Sequence, residues 1–224
     1  MEYTIDYGPA YALAIIQLRS AEQIQAEAGA MVSMSDTIKI STGVRGGVLS
    51  GLKRSVLGGE SFFINTFEAD GAGEVTIAPA LPGDIIALEV ADQPLLIQSG
   101  SFLAATPEVE VDTKWGGGKT FFSREGLFLL RCTGRGTVWV SSYGAIHPID
   151  LTIDQRYTVD TGHMVAFDET VRYDVGKVGS WKSTLLSGEG LVVKLTGPGR
   201  FYMQTRSPDS FVDWLAPKLP GKRQ

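Results

Sequence analysis

Residues 29–40 read GAMVSMSDTIKI, and this stretch of sequence returns twice further along the chain. It aligns without gaps with GSFLAATPEVEV at residues 100–111 and with GHMVAFDETVRY at residues 162–173. Each copy has a glycine, a small or polar residue, two apolar residues, a short polar turn and then an alternating strand. Internal similarity of this kind is the signature of a fold built from related units, and it predicts three tandem repeats.

A second block follows each copy and closes on a Gly-x-Gly turn. The turns begin at Gly71, Gly134 and Gly197, which are 63 residues apart, and the blocks begin at Glu60, Glu125 and Glu189. A unit of about 65 residues buries its own core only marginally, so the apolar face of each sheet should be shared with its neighbour. We therefore predict one domain over residues 1–224, with repeats at about 1–92, 93–152 and 153–210 in pseudo-threefold packing, and a short helical tail at 210–224.

The local pattern of the chain indicates strands. Apolar residues alternate with polar ones at 38–40, 75–77 and 109–111, between glycine-containing turns, and β-branched residues are frequent there. Short strands separated by frequent turns predict an all-β sandwich, barrel or rolled double sheet. One or two short helices are expected, at residues 51–57 and 210–215, and the second should end before Pro217.

The composition excludes several classes of protein. The 224 residues are 43% hydrophobic and 20% charged, as in an ordinary globular protein, and a net charge of −5 argues against a generally basic surface for nucleic acid or acidic lipid. Cys132 is the one cysteine, which excludes an internal disulfide and a multi-cysteine metal site, and we expect it to be buried. The amino terminus is acidic and has no cleavage-like site, which argues against a signal peptide. The sequence also lacks the apolar run of about 20 residues that a membrane-spanning helix needs, so we predict a cytoplasmic protein.

The glycine-rich segment 46–59 is the best candidate for a contact surface, and it occurs in the first repeat only. The residues singled out are Leu49, Leu52, Lys53 and Arg54. Backbone amides together with two cations suit an anion, whereas an apolar patch suits a partner protein or a membrane surface. The alternative is a short helical plug that caps an open end of the β body while its cations face water.

Candidate catalytic and metal-binding residues are few. Glu60, Glu125 and Glu189 could gather around a pseudo-axis as cation ligands or as an acid and a base, or each could accept hydrogen bonds at a turn. The other two copies have no histidine where His163 stands, which excludes a threefold histidine site. A single zinc held by His147, His163 and an acid stays open. We predict no catalytic residue and no cofactor.

Two further motifs favour structural roles. The segment WGGGKT at residues 115–120 ends like a phosphate-binding loop, but Thr113 stands where the first glycine is needed and no helical period follows, so we interpret it as a turn. The four tryptophans could stack on single-stranded RNA, but they are not interleaved with Lys and Arg. We expect most of them in the core or in an interface.

Several short motifs, taken in order, give the chain a family resemblance. They are GGVLSGLKR at 46–54, GESFF at 59–63, PGDI at 82–85, GSFLA at 100–104, GEGLV at 188–192 and QTR at 204–206. Over almost the whole chain they resemble the family named for altered inheritance of mitochondria protein twenty-four. The resemblance implies an all-β, double-stranded β-helix-like fold similar to the tryptophan RNA-binding attenuation protein, with that unit repeated three times.

The resemblance also implies a largely undefined molecular function, with eukaryotic relatives linked to mitochondrial inner-membrane organisation. Because no Arg-rich transit segment is evident, the chain resembles a prokaryotic or otherwise untargeted member. From the residues themselves we predict a non-enzymatic binding or scaffold protein that forms homo-oligomers, since apolar strand edges must be covered. The alternatives are RNA or small-ligand binding, by analogy with the attenuation-protein fold, and a metal-dependent enzyme.

Overall fold

The computed structural model describes residues 1–41, 64–112, 127–177 and 191–219, together with the backbone of residues 55–57 and 60–62. This part of the chain is nearly all β, with antiparallel sheets and one short α-helix, which confirms the predicted fold class at that level. The strands fall into three consecutive stretches, called stretches I, II and III below.

Stretch I contains β1 (Glu2–Asp6), β2 (Leu13–Leu18), β3 (Gln23–Glu27), β4 (Met31–Met34), β5 (Ile38–Ser41), β6 (Ser55–Leu57), β7 (Glu60–Phe62), β8 (Ile64–Ala69) and β9 (Gly73–Ile77). Stretch II contains β10 (Ile85–Val90), β11 (Leu95–Gln98), β12 (Phe102–Ala105), β13 (Val109–Asp112), β14 (Leu129–Gly134) and β15 (Gly136–Ser141). Stretch III contains β16 (Ile146–Leu151), β17 (Arg156–Asp160), β18 (Met164–Asp168), β19 (Arg172–Lys177), β20 (Leu191–Thr196) and β21 (Gly199–Gln204), and the helix α1 (Pro208–Leu215) follows.

The same set of antiparallel pairings is present in each stretch. In stretch I, β2 pairs with β9, β9 with β4, β3 with β8, and β8 with β5. In stretch II the pairs are β10 with β15, β15 with β12, β11 with β14, and β14 with β13. In stretch III they are β16 with β21, β21 with β18, β17 with β20, and β20 with β19.

Details of local geometry recur together with the pairings. A β-bulge interrupts the register at residues 31–33 of β4, 102–104 of β12 and 164–166 of β18. The side chains of Ser35, Thr106 and Asp168 accept hydrogen bonds from the backbone N–H groups of Glu74, Thr137 and Arg200, at 2.9, 3.2 and 2.7 Å. The strands β9, β15 and β21 each begin with a glycine. A Cβ atom there would collide with a threonine side chain, and at Gly199 it would approach Thr170 to 2.6 Å.

Two further pairings join the stretches to one another. Strand β12 of stretch II pairs with β3 of stretch I, with Ala105 opposite Gln25. Strand β18 of stretch III pairs with β11 of stretch II, with Phe167 opposite Leu96. These junctions create two six-stranded sheets, β10-β15-β12-β3-β8-β5 and β13-β14-β11-β18-β21-β16. The sheets β1-β2-β9-β4 and β17-β20-β19 lie at the two ends of the series, and β6 and β7 form a separate hairpin.

At each junction, the side chain at the bulge packs into the core of the preceding stretch. Leu103 of β12 belongs to a buried cluster that is centred on stretch I and includes Ile16 and Phe67. Val165 of β18 belongs to the cluster of stretch II that includes Leu130. A third cluster fills stretch III. Each junction is therefore stabilised by apolar burial as well as by backbone hydrogen bonds.

The carboxyl-terminal helix is confirmed. The side chain of Ser207 caps it by accepting a hydrogen bond from the backbone N–H of Ser210 at 3.4 Å, and Pro208 occupies the first turn. The helix ends at Leu215, before Pro217, as its sequence predicts.

The helix predicted at residues 51–57 is wrong over residues 55–57, because these residues form β6 and pair with β7. The register places Leu57 opposite Glu60, and the two residues between them in the sequence are Gly58 and Gly59. A Gly-Gly pair favours a two-residue hairpin connection, and β-branched Val56 favours a strand. Residues 51–54 lie outside the described part of the chain.

We expect Leu103→Ala to lower the free energy of unfolding by about 2–5 kcal/mol, because the side chain is 1% exposed and fills a core shared by two stretches. The matched control is Leu219→Ala, at a leucine that is 58% exposed, for which a change within about 0.5 kcal/mol is expected. Urea unfolding followed by circular dichroism measures both values. Equal effects for the two variants would contradict the junction described here.

The Cys132 thiol should resist labelling in the folded protein. The residue is fully buried in the core of stretch II, and burial raises the pKa of its thiol to about 12, so the reactive thiolate is scarce at neutral pH. We expect no reaction with Ellman's reagent at pH 8 before unfolding, and one thiol per chain in guanidinium chloride. Rapid labelling of the native chain would show that the core opens at this position.

Candidate functional site

The most unusual surface of the described chain is β4, because all four of its residues are exposed. Met31, Val32 and Met34 are 37%, 59% and 39% exposed. The strands that hold the same place in stretches II and III, β12 and β18, are buried from Phe102 to Ala105 and from Met164 to Phe167. Strand β4, with three apolar residues in four, therefore holds the place of a junction strand but is not covered as β12 and β18 are.

The reason for this exposure is the missing partner strand. Among the residues that the structure describes, β4 is the last strand of its sheet and pairs with β9 alone. The N–H and C=O groups along the other edge of a terminal strand are free to pair with a further strand. Strands β12 and β18, in contrast, have a partner on both edges.

Strand β17, at the other end of the series, also lacks a described partner strand on one edge. It is the end strand of the sheet β17-β20-β19, and residues 156–158 are exposed. Its counterparts β3 and β11 are mostly buried, because β12 and β18 lie against them. Tyr157 is 39% exposed although its ring contacts Phe201, with a 5.2 Å separation of the ring centroids.

The exposed face of the sheet β17-β20-β19 is cationic. Arg156 and Arg172 both pair in register with Thr196, and Lys194 lies between Thr158 and Asp174. These side chains line a shallow cavity of about 310 Å³. Arg172 donates a hydrogen bond to Asp154 at 2.9 Å, so two of the three cations carry no ion pair to a described residue.

One charged pair spans a junction between stretches. Arg131 on β14 donates two hydrogen bonds to the carboxylate of Glu169, which follows β18, at 2.7 and 3.1 Å. The two side chains are only 28% and 29% exposed. Charge-assisted bidentate contacts of this kind add geometric specificity, so the pair helps to define how stretch III sits on stretch II.

The predicted contact residues Leu49, Leu52, Lys53 and Arg54 lie outside the described residues, as do Glu125 and Glu189. Glu60 begins β7, but only its backbone is described. The structure therefore leaves open whether the three glutamates converge. The glycine-rich segment 115–120 is also outside the described residues.

The two histidines occupy different settings. Nδ1 of His163 lies 2.7 Å from the carbonyl oxygen of Gln204, and His147 is exposed on β16. In the described ranges no group of three His, Cys, Asp or Glu residues is placed to hold a metal ion.

Trp139 is fully buried and its ring contacts Tyr3 edge to face, whereas Trp214 on α1 is 58% exposed. Trp115 and Trp181 are not among the described residues.

The open edges of β4 and β17 were missed by the sequence analysis. The residues MVSM of β4 are mostly apolar, as are all of FLAA in β12, so composition is a weak guide to which of the two strands is exposed. The sequence alignment has a first and a last copy, and in a stack of similar units each end has an unused face.

No helix in the described part of the chain is both long enough and apolar enough to cross a membrane.

Known proteins similar to this chain cover nearly all of it. An uncharacterized protein of Streptococcus pyogenes serotype M6 is 30% identical over 228 residues, which cover 98% of this chain and 92% of the relative. The crystal structure of a Streptococcus pyogenes protein matches the fold with a TM-score of 0.79 at 29% identity, covering 97% of this chain and 99% of that one. A sequence profile for mitochondrial biogenesis AIM24 matches residues 3–206. Because that match takes in most of the chain, this protein belongs to the mitochondrial biogenesis AIM24 family.

Proposed function

We propose that the chain is one domain made of three related units, stretches I to III, packed in succession around a common centre. The recurring pairings, the bulges at equivalent positions and the three equivalent side-chain hydrogen bonds support this arrangement. In a closed threefold body β4 would pair with β17, and these strands lie in separate described sheets. The approximate threefold arrangement is thus open at its third junction.

On this architecture, the protein is a non-enzymatic scaffold that self-associates through its open strand edges. The observation that carries the proposal is the exposure of β4 along its whole length, where the corresponding strands are buried. Exposed strand edges with apolar side chains are templates for pairing with another chain, and charged residues and proline are two of the devices by which proteins block them. Strand β4 carries neither a charged residue nor a proline.

The chemistry of the described side chains supports binding in preference to catalysis. The Cys132 thiol is enclosed and its pKa is raised by burial, so it is a poor nucleophile. The ion pair between Arg131 and Glu169, whose side chains are 28% and 29% exposed, holds stretches II and III together. Apolar side chains on an open edge are suited to contacts with another protein surface.

We expect Val32→Asp to raise the concentration needed for self-association by more than about tenfold, because a carboxylate would be buried without a partner in the interface. The matched control is Ile40→Asp, at an apolar residue that is 41% exposed on β5, a different edge strand. Analytical ultracentrifugation over a concentration series measures both variants and the parent chain, with circular dichroism as the check on folding. A parent chain that stays monomeric throughout, or equal effects of the two variants, would overturn the proposal.

A further inference from the structure

We infer that β4 of one copy pairs antiparallel with β17 of a second copy, in the register that joins β12 to β3 and β18 to β11. The inference rests on the proposed self-association and specifies its geometry. The partner is a second copy of this chain because the chain already contains this junction twice. A second copy supplies both halves of a third junction, in the same order as the first two.

The register follows from the two observed junctions. Gln98 and Asp160 each immediately precede a 3-10 turn that leads into β12 or β18, so Thr158 of β17 holds the position of Leu96 in β11. Met34 of β4 holds the position of Phe167 in β18, because both follow the bulge by one residue. Since Phe167 lies opposite Leu96, Met34 should lie opposite Thr158 of the next copy.

In the inferred register, the bulge of β4 lies over the core of stretch III. Leu103 and Val165, the bulge residues of β12 and β18, are inserted into the cores of stretches I and II, where they are 1% and 0% exposed. The corresponding residue of β4 is Val32, which is 59% exposed. In the inferred junction it enters the core cluster of stretch III, which contains Val159 and Leu195. The apolar surface buried there favours association.

Charge is complementary at the same junction. Arg131 lies opposite Leu96 in the register of β14, and Lys194 lies opposite Thr158 in the register of β20, so Lys194 holds the position of Arg131. Asp36 follows Met34 by two residues, as Glu169 follows Phe167. The ion pair between Arg131 and Glu169 therefore has a counterpart in Lys194 of one copy and Asp36 of the next, and neither of these exposed residues has an ion pair with another described residue.

Such an interface is heterologous, because the two surfaces that meet are different. Each copy then offers β4 to one neighbour and β17 to another. Heterologous interfaces produce rings where the rotation closes and open filaments where it does not.

Cross-linking of mixed variants tests the register. Met34→Cys and Thr158→Cys place thiols on exposed residues of the two strands, while Cys132 remains enclosed. After mild oxidation and alkylation, we expect a disulfide-linked dimer from the mixture of the two variants and little from either variant alone. The control mixture, Ile40→Cys with Thr158→Cys, should give no dimer.

The possible results separate the inference from the proposed function. If ultracentrifugation shows association but the mixture gives no cross-link, the register is wrong and the scaffold proposal stands. A dimer from Met34→Cys alone would indicate like-with-like pairing and overturn the inference. A bond within one chain of the double variant Met34→Cys/Thr158→Cys would show that the body closes on itself, and it would overturn the inference too.

Charge reversal tests the ion pair without introducing a thiol. Asp36→Lys and Lys194→Asp should each raise the association concentration by about fivefold, the upper range for one exposed ion pair, and the double variant should return to within about twofold of the parent. These substitutions leave the apolar contacts of Val32 and Met34 unchanged. Circular dichroism of each variant checks that it is folded. Additive losses in the double variant, without rescue, would overturn the assignment of Asp36 and Lys194 to one contact.

Discussion

Backbone hydrogen bonding across strand edges is the constraint on which this structure depends. Every strand edge has N–H and C=O groups that must find partners, either in another strand or in water. Stretches II and III meet this need by lending β12 and β18 to the preceding stretch, which also buries Leu103 and Val165. Strands β4 and β17 hold the places of these junction strands at the two ends of the series, and in the described chain neither has a partner on its outer edge. The pairing of strand edges thus accounts for both the architecture and the proposed binding surface.

The sequence was informative wherever local chemistry decides the conformation. Alternating apolar residues identified the strands, and Pro208 with Ser207 explains why the last helix begins where it does. The alignment of residues 29–40, 100–111 and 162–173 placed Val32, Leu103 and Val165 in register, and the bulges fall at these residues. At residues 55–57 the structure has a strand of a hairpin where a helix was expected, and the sequence Gly58-Gly59 and the β-branched Val56 favour a hairpin over a helix.

The exposure of β4 could not be predicted from its own residues. Burial depends on what lies on the far side of a strand. Val32 is exposed and Leu103 is buried because Leu103 enters the core of stretch I, where β3 lies beside β12, while β4 has no described neighbour strand on that edge. The contact surface predicted at Leu49, Leu52, Lys53 and Arg54 lies outside the described residues. It therefore remains a separate prediction, and the edges of β4 and β17 are an additional surface. The fold of nearly the whole chain is shared with a Streptococcus pyogenes protein of known structure.

The two end strands differ in character, since β4 offers methionine and valine while β17 offers arginine, tyrosine and threonine. In an assembly built as we propose, a molecule damaged at only one of these ends keeps the other. It would still attach to a growing complex and would then stop further addition, as a chain terminator does in polymer synthesis. A small fraction of such molecules could limit the size of the whole population of complexes, so faulty copies would act on intact ones and would not merely be lost.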